Sequence, residues 1–388
     1  MINAFKTQIY PTKKQKEYFA KAFGIRRFIW NWGLNNYLES LNNGIYKTNY
    51  DIQKEINNIL VKDDNYSWLS EVNSMVRQES LKDLGLSIKK YHEQQKAARR
   101  TSISIPCEKF KPKFKSKKYD INSFRYNNKG NPVIPKDRKH FYLTTVKSKK
   151  NKLCIKTAES LMFLKSDDIR FCSITVKMEA NKYYIIITYE KTNHKLKCNS
   201  KDSIGIDMGM KTPLACYDSN NKSIKYHYPD RLKKQEKHTE YLHKLLSKKK
   251  YGSNRYHKCK ILLEKSYQKE NNIKKEFREQ ITTFLCKNYH VIKIEDFNTK
   301  VNTLKNINRS LSRLGKYAFI ERLKNKAELY NTDLIFIKNL PTTQTCSNCG
   351  NRLCNNNKLT LKDRIYKCKV CGNIIDRDIN AAINILNA

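Results

Sequence analysis

Apolar positions in the first quarter of the chain predict one strand followed by helices. Residues 4–10 are predicted to form a strand that ends at a proline. Phe19 and Phe23 then stand one helical turn apart, and a second helix is predicted after Gly24. Glycine and proline are almost absent from 51–100, so that stretch is predicted to be helical as well. The pattern therefore predicts a long helical block after one initial strand.

The middle of the chain changes to strand patterns. Residues 173–178 alternate in polarity, and 183–189 are rich in aromatic and β-branched residues, with a hairpin loop between them. A small β-barrel spanning about 124–189 is expected, and the first strand is expected to pair into it. The polar segment 191–201 is the predicted linker.

The second half of the chain alternates between buried strands and helices, which predicts an α/β domain. A strand beginning near residue 203 ends at Asp207, and another ends at Glu295. Between them, 231–278 is long, helical and very basic, which favours either a helical hairpin lying on nucleic acid or a solvated pair of charged helices. A helix with Phe319 on its apolar face and a strand at 333–337 complete the domain.

Net charge is the strongest feature of the composition. The chain has 388 residues and carries 78 Lys+Arg against 36 Asp+Glu, a formal charge of +42. Such an excess calls for a polyanionic partner, and nucleic acid is the expected one. A membrane role is not supported, because no long apolar run, signal peptide or lipidation motif is found. We therefore expect a cytoplasmic protein that binds nucleic acid.

Aromatic and basic residues are interleaved between 109 and 118, with Phe114 at the centre. Aromatic rings can stack on bases while lysines follow the phosphates. The alternative for this segment is a flexible basic linker with packed phenylalanines. Arg26 and Arg27, in the helix predicted after Gly24, are also candidate phosphate contacts, and the alternative for them is a solvated helix face. The candidate nucleic-acid contacts are Arg26, Arg27, Lys113, Lys115, Lys117 and Lys118.

Two Cys-x2-Cys pairs, each followed by glycine, are separated by 18 residues near the C-terminus. Four thiolates at this spacing are typical of a structural zinc ribbon, which leaves no open coordination position for a substrate. The predicted ligands are Cys346, Cys349, Cys368 and Cys371, with Cys354 a weaker fifth candidate. The other cysteines are predicted to be buried free thiols in a reducing compartment, and these are Cys107, Cys154, Cys172, Cys198, Cys216, Cys259 and Cys286.

Three acids stand on three predicted elements: Asp207 and Glu295 end strands, and Asp378 starts the last helix. Functional groups collect at the carboxyl ends of strands in an open α/β sheet. Clustered carboxylates repel one another unless divalent cations neutralise them, and two magnesium ions about 4 Å apart support phosphodiester cleavage. Any one of these acids could be only a turn or capping residue. The nearby alternatives are Asp202, Asp296 and Asp376.

At these motifs the chain resembles the TnpB family, the OrfB-type transposon proteins from which type V CRISPR effectors descend. The segments that carry the resemblance are 205–211, 292–298, 343–350 and 376–385, which read GIDMGMK, IKIEDFN, TQTCSNCG and DRDINAAINI. Segments at 10–15, 27–31 and 114–118 also look like the family. Met208 and Phe297 replace the usual leucines, and neither change alters a carboxylate.

The resemblance implies a multidomain α+β protein: a helical recognition lobe inserted in an oligonucleotide-binding-like β-barrel (the wedge), followed by an RNase H-like RuvC domain that carries a zinc ribbon. The implied boundaries are 1–10 for the first barrel strand, 11–118 for the recognition lobe, 119–200 for the wedge and linker, 201–340 for RuvC with its basic helical insertion, 341–375 for the ribbon and 376–388 for the terminal RuvC helix.

The resemblance also implies an RNA-guided DNA endonuclease. Such a protein binds a guide RNA derived from the transposon end, recognises a short motif beside its double-stranded DNA target, and cuts DNA at one RuvC site. Asp207, Glu295 and Asp378 would hold the two magnesium ions, and a monomer is expected. The alternatives are an RNA-guided repressor without nuclease activity and a resolvase- or transposase-like enzyme that acts without RNA. All three acids are present, and no nucleophilic tyrosine or serine stands out.

Overall fold

The computed structural model forms two compact units, Met1–Thr192 and Asn193–Ala388. The boundary between them falls inside the predicted linker at 191–201, whereas the finer domain boundaries stay predictions. The structure describes residues 2–45, 47–60, 62–101, 111–117, 121–127, 133–145, 152–192, 196–209, 212–295, 315–338, 340–354, 358–360 and 363–388.

The first unit contains a seven-stranded antiparallel sheet with strand order β2-β6-β7-β1-β5-β4-β3. The strands are β1 Ile2–Tyr10, β2 Ser123–Asn127, β3 Val133–Pro135, β4 His140–Thr144, β5 Lys152–Thr157, β6 Ile169–Glu179 and β7 Lys182–Lys191. The first strand thus pairs into the later strands, as predicted. Within the described residues, no recorded pairing joins β2 to β3, so barrel closure stays a prediction.

The β6–β7 hairpin turns through two residues, Ala180 and Asn181, whose φ angles are 47° and 63°. Two consecutive left-handed residues are typical of the tight turn that matches the twist of paired strands. The predicted hairpin loop is confirmed.

A helical block lies between β1 and β2 in the chain. It consists of α1 Lys13–Asn42, α2 Asn49–Glu55, a π-helical segment Ile56–Leu60, a 3-10 segment Asp64–Glu71 and α3 Met75–Thr101. Helix α1 starts with a capping box, in which Thr12 and Gln15 exchange side-chain and backbone hydrogen bonds. The rings of Phe19 and Phe124, whose centroids are 5.7 Å apart, pack this helix onto the sheet.

The predicted break after Gly24 is wrong, because α1 runs through this residue as one 30-residue helix. Glycine inside a helix costs about 1 kcal/mol relative to alanine. Phe23 and Ile25 on either side, and Ile29 one turn later, are all buried in the core. Their burial offsets the glycine penalty, so the helix continues.

The second unit is built on a five-stranded mixed sheet with strand order β10-β9-β8-β11-β12. Its strands are β8 Ser203–Asp207, β9 Leu214–Asp218, β10 Ser223–Tyr226, β11 Val291–Glu295 and β12 Asp333–Ile337. Strands β8, β11 and β12 are parallel, whereas β9 and β10 are antiparallel additions. The remaining elements are α4 Asp230–Ser247, α5 Asn254–Asn288, α6 Lys316–Tyr330, α7 Arg377–Asn387, and the short hairpin of β13 Ile365–Lys367 and β14 Ile374–Asp376.

Helices α4 and α5 form the predicted helical hairpin. A buried polar cluster joins them: Gln235 Nε2 donates to Ser266 Oγ (2.7 Å), and the hydroxyls of Thr239 and Ser266 are 2.9 Å apart. Further along, α5 packs with α6 through Leu285, Phe319 and other buried residues of the sheet core. Among the described helices, none is long and apolar enough to cross a membrane.

Candidate functional site

Asp207 and Glu295 occupy equivalent places on neighbouring parallel strands. Ile206 of β8 pairs with Ile294 of β11, and each acid is the next and last residue of its strand. Both carboxyl groups therefore stand at the carboxyl edge of the sheet, as the sequence predicted. Asp207 is buried, with 6% of its surface exposed.

Helix α7 brings Asp378 to the same sheet by an unusually close approach to β8. A Cβ atom on Gly205 would lie 2.3 Å from the carbonyl oxygen of Ala382 and 2.6 Å from the backbone nitrogen of Leu386. Only glycine permits this approach of helix backbone to strand backbone. Lys293 Nζ donates to the Leu386 carbonyl (2.8 Å) and secures the far end of the helix. Asp378 lies in the first turn of α7 and is 6% exposed.

Asp376, the most serious alternative to Asp378, has another role. Its Oδ1 accepts hydrogen bonds from the backbone N–H groups of Asp378 (3.0 Å) and Ile379 (3.2 Å), so Asp376 is the N-cap of α7. Its Oδ2 is 2.6 Å from Lys225 Nζ. We expected Asp378 to start the helix, whereas it is the second helical residue, and its carboxylate is not used in capping.

The other two alternatives are placed less favourably or lie outside the described structure. Asp202 immediately precedes β8, at the opposite end of the strand from Asp207, and accepts a hydrogen bond from Asn220 Nδ2 (2.9 Å). Asp296 lies outside the described residues.

Burial raises the pKa values of two acids in this site. Burial, followed by the charges of Asp378 and Glu295, raises the pKa of Asp207 to about 7, while Lys316 and Arg377 oppose the rise. Burial also raises the pKa of Glu295, again opposed by Lys316. Carboxylates that repel one another at a buried site are suited to neutralisation by a divalent cation.

Lys316 is a basic residue of the site that sequence reasoning missed. It is the first residue of α6, and its Nζ donates to the carbonyl oxygen of Met208, the residue after Asp207 (3.0 Å). Burial lowers the pKa of Lys316, whereas Asp207 and Glu295 raise it. Its only sequence signal was a lysine at the start of a predicted helix, which gives no indication of a place beside acids.

Among the described residues, the four predicted zinc ligands are the one group of three or more His, Cys, Asp or Glu whose ligand atoms all lie within 4.8 Å of one another. Asp207, Glu295 and Asp378 do not belong to such a group.

The four predicted zinc ligands, Cys346, Cys349, Cys368 and Cys371, come together in the ribbon. Sγ–Sγ distances are 3.7 Å between Cys346 and Cys371 and 3.6 Å between Cys349 and Cys368. A tetrahedron with zinc–sulfur bonds of about 2.3 Å has edges of about 3.8 Å. The quartet can therefore bind zinc. The side chain of Cys354 is exposed, and this residue is not part of the group.

Each cysteine pair lies in the same kind of tight turn. The N–H of Gly350 donates to the carbonyl of Cys346 (3.0 Å), and the N–H of Gly372 donates to Cys368 (3.1 Å). Both glycines have left-handed φ angles, 73° and 70°. The backbone N–H of Cys371 lowers the pKa of Cys368.

The first cysteine turn is attached to α7 by two asparagines, a second feature missed from sequence. Asn380 Oδ1 accepts a hydrogen bond from the N–H of Ser347 (2.9 Å), and its amide donates to the carbonyl of Thr345 (2.7 Å). Asn384 Nδ2 donates to the carbonyls of Thr345 (2.7 Å) and Thr342 (2.8 Å). The helix that carries Asp378 therefore also holds the first cysteine turn.

The predicted nucleic-acid contacts lie on α1 and on the segment 111–117. Arg26 donates to the carbonyl of Ile121 (3.3 Å), and Arg27 donates to Asn122 Oδ1 (3.0 Å). Lys115 Nζ lies over the ring of Trp30, 3.3 Å from its centroid. Of the remaining candidates, Lys113 and Lys117 are exposed, and Lys118 lies outside the described residues. Their role in binding stays a prediction.

The scattered cysteines are only partly as predicted. Cys216, Cys259 and Cys286 are buried, whereas Cys154, Cys172 and Cys198 are half-buried at strands and linker. Cys107 lies outside the described residues.

Comparison with family models matches three segments in chain order. A "Helix-turn-helix domain" model of the OrfB_IS605 group matches residues 1–45, the OrfB_IS605 "Probable transposase" model matches 186–306, and the "Cas12f1-like, TNB domain" model matches 317–385. The first model is named for a turn between helices, yet the described part of 1–45 forms one strand and one continuous helix.

Curated relatives align over nearly the whole chain. The TnpB-like protein L770 of Acanthamoeba polyphaga mimivirus is 25% identical over 99% of this chain and 73% of its own length. The Escherichia coli K12 protein named "Putative RNA-guided DNA endonuclease InsQ" is 24% identical over 100% of this chain and 92% of its own length.

The fold also resembles a solved structure. The protein chain in a cryo-EM structure of a Cas12f1-sgRNA-target DNA complex aligns with a TM-score of 0.61 at 16% identity, covering 97% of this chain and 83% of that chain. The architecture is therefore a multidomain α+β fold similar to that of a Cas12 effector. The three family models and the TnpB-like relatives confirm the expected resemblance of this chain to the TnpB family.

Proposed function

We propose that the protein is a transposon-encoded, RNA-guided DNA endonuclease that hydrolyses phosphodiester bonds at Asp207, Glu295 and Asp378. One observation carries the proposal: two acids end adjacent parallel strands, and a third is brought to that sheet by a helix packed against Gly205. This arrangement has the chemistry of a two-metal nuclease site. A net charge of +42 supplies the affinity for nucleic acid.

The three carboxylates would hold two magnesium ions, which supply an activated water and stabilise the leaving oxygen when bound. The chain's own residues prepare this site. Arg377 donates to Asp378 Oδ1 (3.3 Å) and orients that carboxylate. Lys316 holds the backbone after Asp207 and offsets part of the negative charge. Burial of Asp207 excludes bulk water from one side of the site.

Zinc at Cys346, Cys349, Cys368 and Cys371 would be structural. Four thiolates fill the tetrahedral coordination of zinc, so no position is left for substrate. The bound ion would fix the two cysteine turns and, through Asn380, the start of α7.

The two units would have different roles. In the first, the helical block of 11–118 would serve as the recognition lobe, and the sheet of residues 1–10 and 119–200 as an oligonucleotide-binding-like wedge. In the second, 201–340 and 376–388 would form the RNase H-like RuvC domain, and 341–375 the ribbon. The partners are a guide RNA from the transposon end and a double-stranded DNA target, whose sequence is read by base pairing.

The first experiment is to express the protein with its native flanking DNA and to sequence the RNA that copurifies. One dominant structured RNA, derived from the flank of the gene and ending in adjoining sequence, is the expected result. A random mixture of cellular RNA would contradict guided targeting and would favour a resolvase-like enzyme that acts on DNA alone.

The second experiment uses the guide RNA found in the first. Asp378→Ala should abolish magnesium-dependent cleavage while leaving RNA binding intact, which also separates a nuclease from a guided repressor. Asp376→Ala is the matched control, because it removes the N-cap and the ion pair with Lys225 but no proposed metal ligand. Cleavage that survives Asp378→Ala and is lost in Asp376→Ala would move the catalytic role to Asp376.

A further inference from the structure

A short segment of the first unit, 111–117, lies against α1 with its backbone held on both sides of residue 114; we call this segment the strap. Trp30 Nε1 donates to the carbonyl of Lys113 (3.0 Å). Asn31 Nδ2 donates to the carbonyl of Lys115 (2.8 Å), and Asn31 Oδ1 accepts from the N–H of Lys115 (2.7 Å). Three hydrogen bonds therefore fix the strap on the helix.

The fixed backbone leaves the ring of Phe114 in solvent. Phe114 is 57% exposed, whereas the side chain of the next residue, Lys115, folds back over the ring of Trp30. Lysine side chains are usually exposed and phenylalanine rings usually buried. Here the side chain of Lys115 packs on the protein, whereas the ring of Phe114 faces water. A flexible linker with packed phenylalanines, the alternative weighed from the sequence, does not describe this segment.

The strap itself is positively charged. Lys111, Lys113 and Lys117 are exposed, and the strap contains no acidic residue. An apolar ring among exposed lysines is poorly suited to the apolar surface of a protein, because docking would desolvate the ammonium groups. It is well suited to a nucleic-acid strand, which offers a flat base to the ring and phosphates to the lysines.

We propose that Phe114 is a stacking platform for an unpaired base of a single-stranded nucleic acid, with Lys113 and Lys117 contacting the adjacent phosphates. Bases within a duplex are already stacked on their neighbours, so a free base face is offered only by an unpaired nucleotide. The inference rests on the nucleic-acid binding in the proposed function, but it requires neither guided targeting nor cleavage.

The test measures binding by the full-length protein after bound RNA has been removed. The probes are fluorescein-labelled oligoadenylates of about 12 nucleotides, as RNA and as DNA, and a duplex DNA of the same length. Phe114→Ala should weaken binding of a single strand by about 5- to 160-fold, since one stacked base contributes about 1–3 kcal/mol. Duplex affinity should not change. The strand type with the greater loss identifies the natural ligand as RNA or DNA.

Two further variants separate the effect of ring stacking from the effect of side-chain size and apolarity. Phe114→Trp should keep the affinity, and its fluorescence should be quenched when the strand binds. Phe114→Leu keeps an apolar side chain but has no ring, so it should behave like Phe114→Ala. Phe284→Ala is the matched control, because it removes a phenylalanine of similar exposure (43%) from α5.

The salt dependence distinguishes the ring from the lysines. For single-strand binding, Phe114→Ala should leave the slope of log affinity against log salt unchanged, whereas the double variant Lys113→Ala, Lys117→Ala should make that slope shallower by about 1.4. Unchanged single-strand affinity in Phe114→Ala would overturn the proposal, and so would an equal loss on duplex DNA. A change in oligomeric state without a change in binding would instead assign the ring to a contact between copies. Failure to recover a guide RNA would affect none of these readouts.

Discussion

Asn380 accepts a hydrogen bond from the backbone N–H of Ser347, which joins the last helix to the first cysteine turn at 2.9 Å. The same side chain donates to Thr345, and none of its surface is exposed. Asp378 lies two residues earlier on that helix. The proposed magnesium ligand and the residue that attaches the proposed zinc site thus lie on one turn of helix. A structural change at one site is therefore expected to alter the other.

Asn380→Ala is expected to lower the free energy of unfolding by about 1–3 kcal/mol, because it leaves the half-buried N–H of Ser347 without its partner, whereas the carbonyl of Thr345 keeps its hydrogen bond from Asn384. It should also speed the release of zinc to a chromogenic chelator. Asn387→Ala, at an exposed position of the same helix, is the control and should change stability by less than about 0.5 kcal/mol. Equal stability and equal zinc release in the two variants would show that the attachment is unimportant.

Gly205→Ala should displace α7 from β8. The added methyl group would meet backbone atoms of Ala382 and Leu386, which cannot move unless the helix moves. We expect a loss of about 3 kcal/mol in unfolding free energy, measured by chemical denaturation. Gly24→Ala makes the same chemical change inside α1, where nothing lies within 4 Å of the new atom, and should stabilise by about 0.5–1 kcal/mol. A Gly205→Ala protein as stable as Gly24→Ala would contradict the close approach.

Cys368→Ser should release zinc and destabilise the start of α7, because the remaining three thiolates no longer complete the tetrahedron. Zinc content per chain is measured by mass spectrometry after dialysis, and helix α7 by hydrogen exchange. Cys354→Ser is the matched control, since that exposed cysteine lies outside the quartet. Full zinc content in Cys368→Ser together with loss in Cys354→Ser would reverse the assignment of the two residues.

Stability without magnesium should fall as the pH rises from about 4 to about 7. Folding raises the pKa of Asp207 from 3.8 to about 7, so the folded state holds the extra proton within this window. The full effect of one such group is about 4 kcal/mol. Unfolding free energies at pH 5 and pH 8, in buffer freed of divalent cations by resin, measure the difference. Asp207→Asn should reduce the difference, and magnesium should stabilise the wild type more at pH 8 than at pH 5.

Lys316→Met should destabilise the magnesium-free protein at pH 8 by about 1–3 kcal/mol, because the acids lose a nearby positive charge and Met208 loses a hydrogen-bond donor. Lys316→Arg should restore most of the loss. Lys324→Met removes an exposed lysine from the same helix and should have little effect. A similar loss in the two methionine variants would argue against a specific role for Lys316.

Local pattern was sufficient to predict where Asp207 and Glu295 lie and that the four cysteines come together. Asp207 and Glu295 were found because each ends a short apolar run, and a strand's carboxyl end is where an α/β sheet places its chemistry. Cys368 and Cys371 were found because two intervening residues suit one tight turn. In both cases the information lies within a few consecutive residues.

The features of the site that could not be predicted from the sequence depend on contacts between segments that are far apart in the chain. Lys316 meets Asp207 across 109 positions of chain, and its neighbours along the helix do not indicate it. Asn380 was noticed as part of a motif, but its hydrogen bonds to the cysteine turn could not be read from the motif. A local rule predicts a helix break at Gly24, whereas the burial of Phe23 and Ile25, which that rule does not include, keeps the helix continuous.

The position of β1 in the middle of its sheet has a consequence for synthesis on the ribosome. Residues 2–10 pair with β7, whose last residue is Lys191, and with β5. At about 5–20 residues per second, the first strand has to wait some 10 to 40 seconds for its partner to be made. The helices α1 to α3 can form during that wait, because their hydrogen bonds are local. Nascent chains should therefore acquire helix early and protease resistance only after residue 191 has left the exit tunnel.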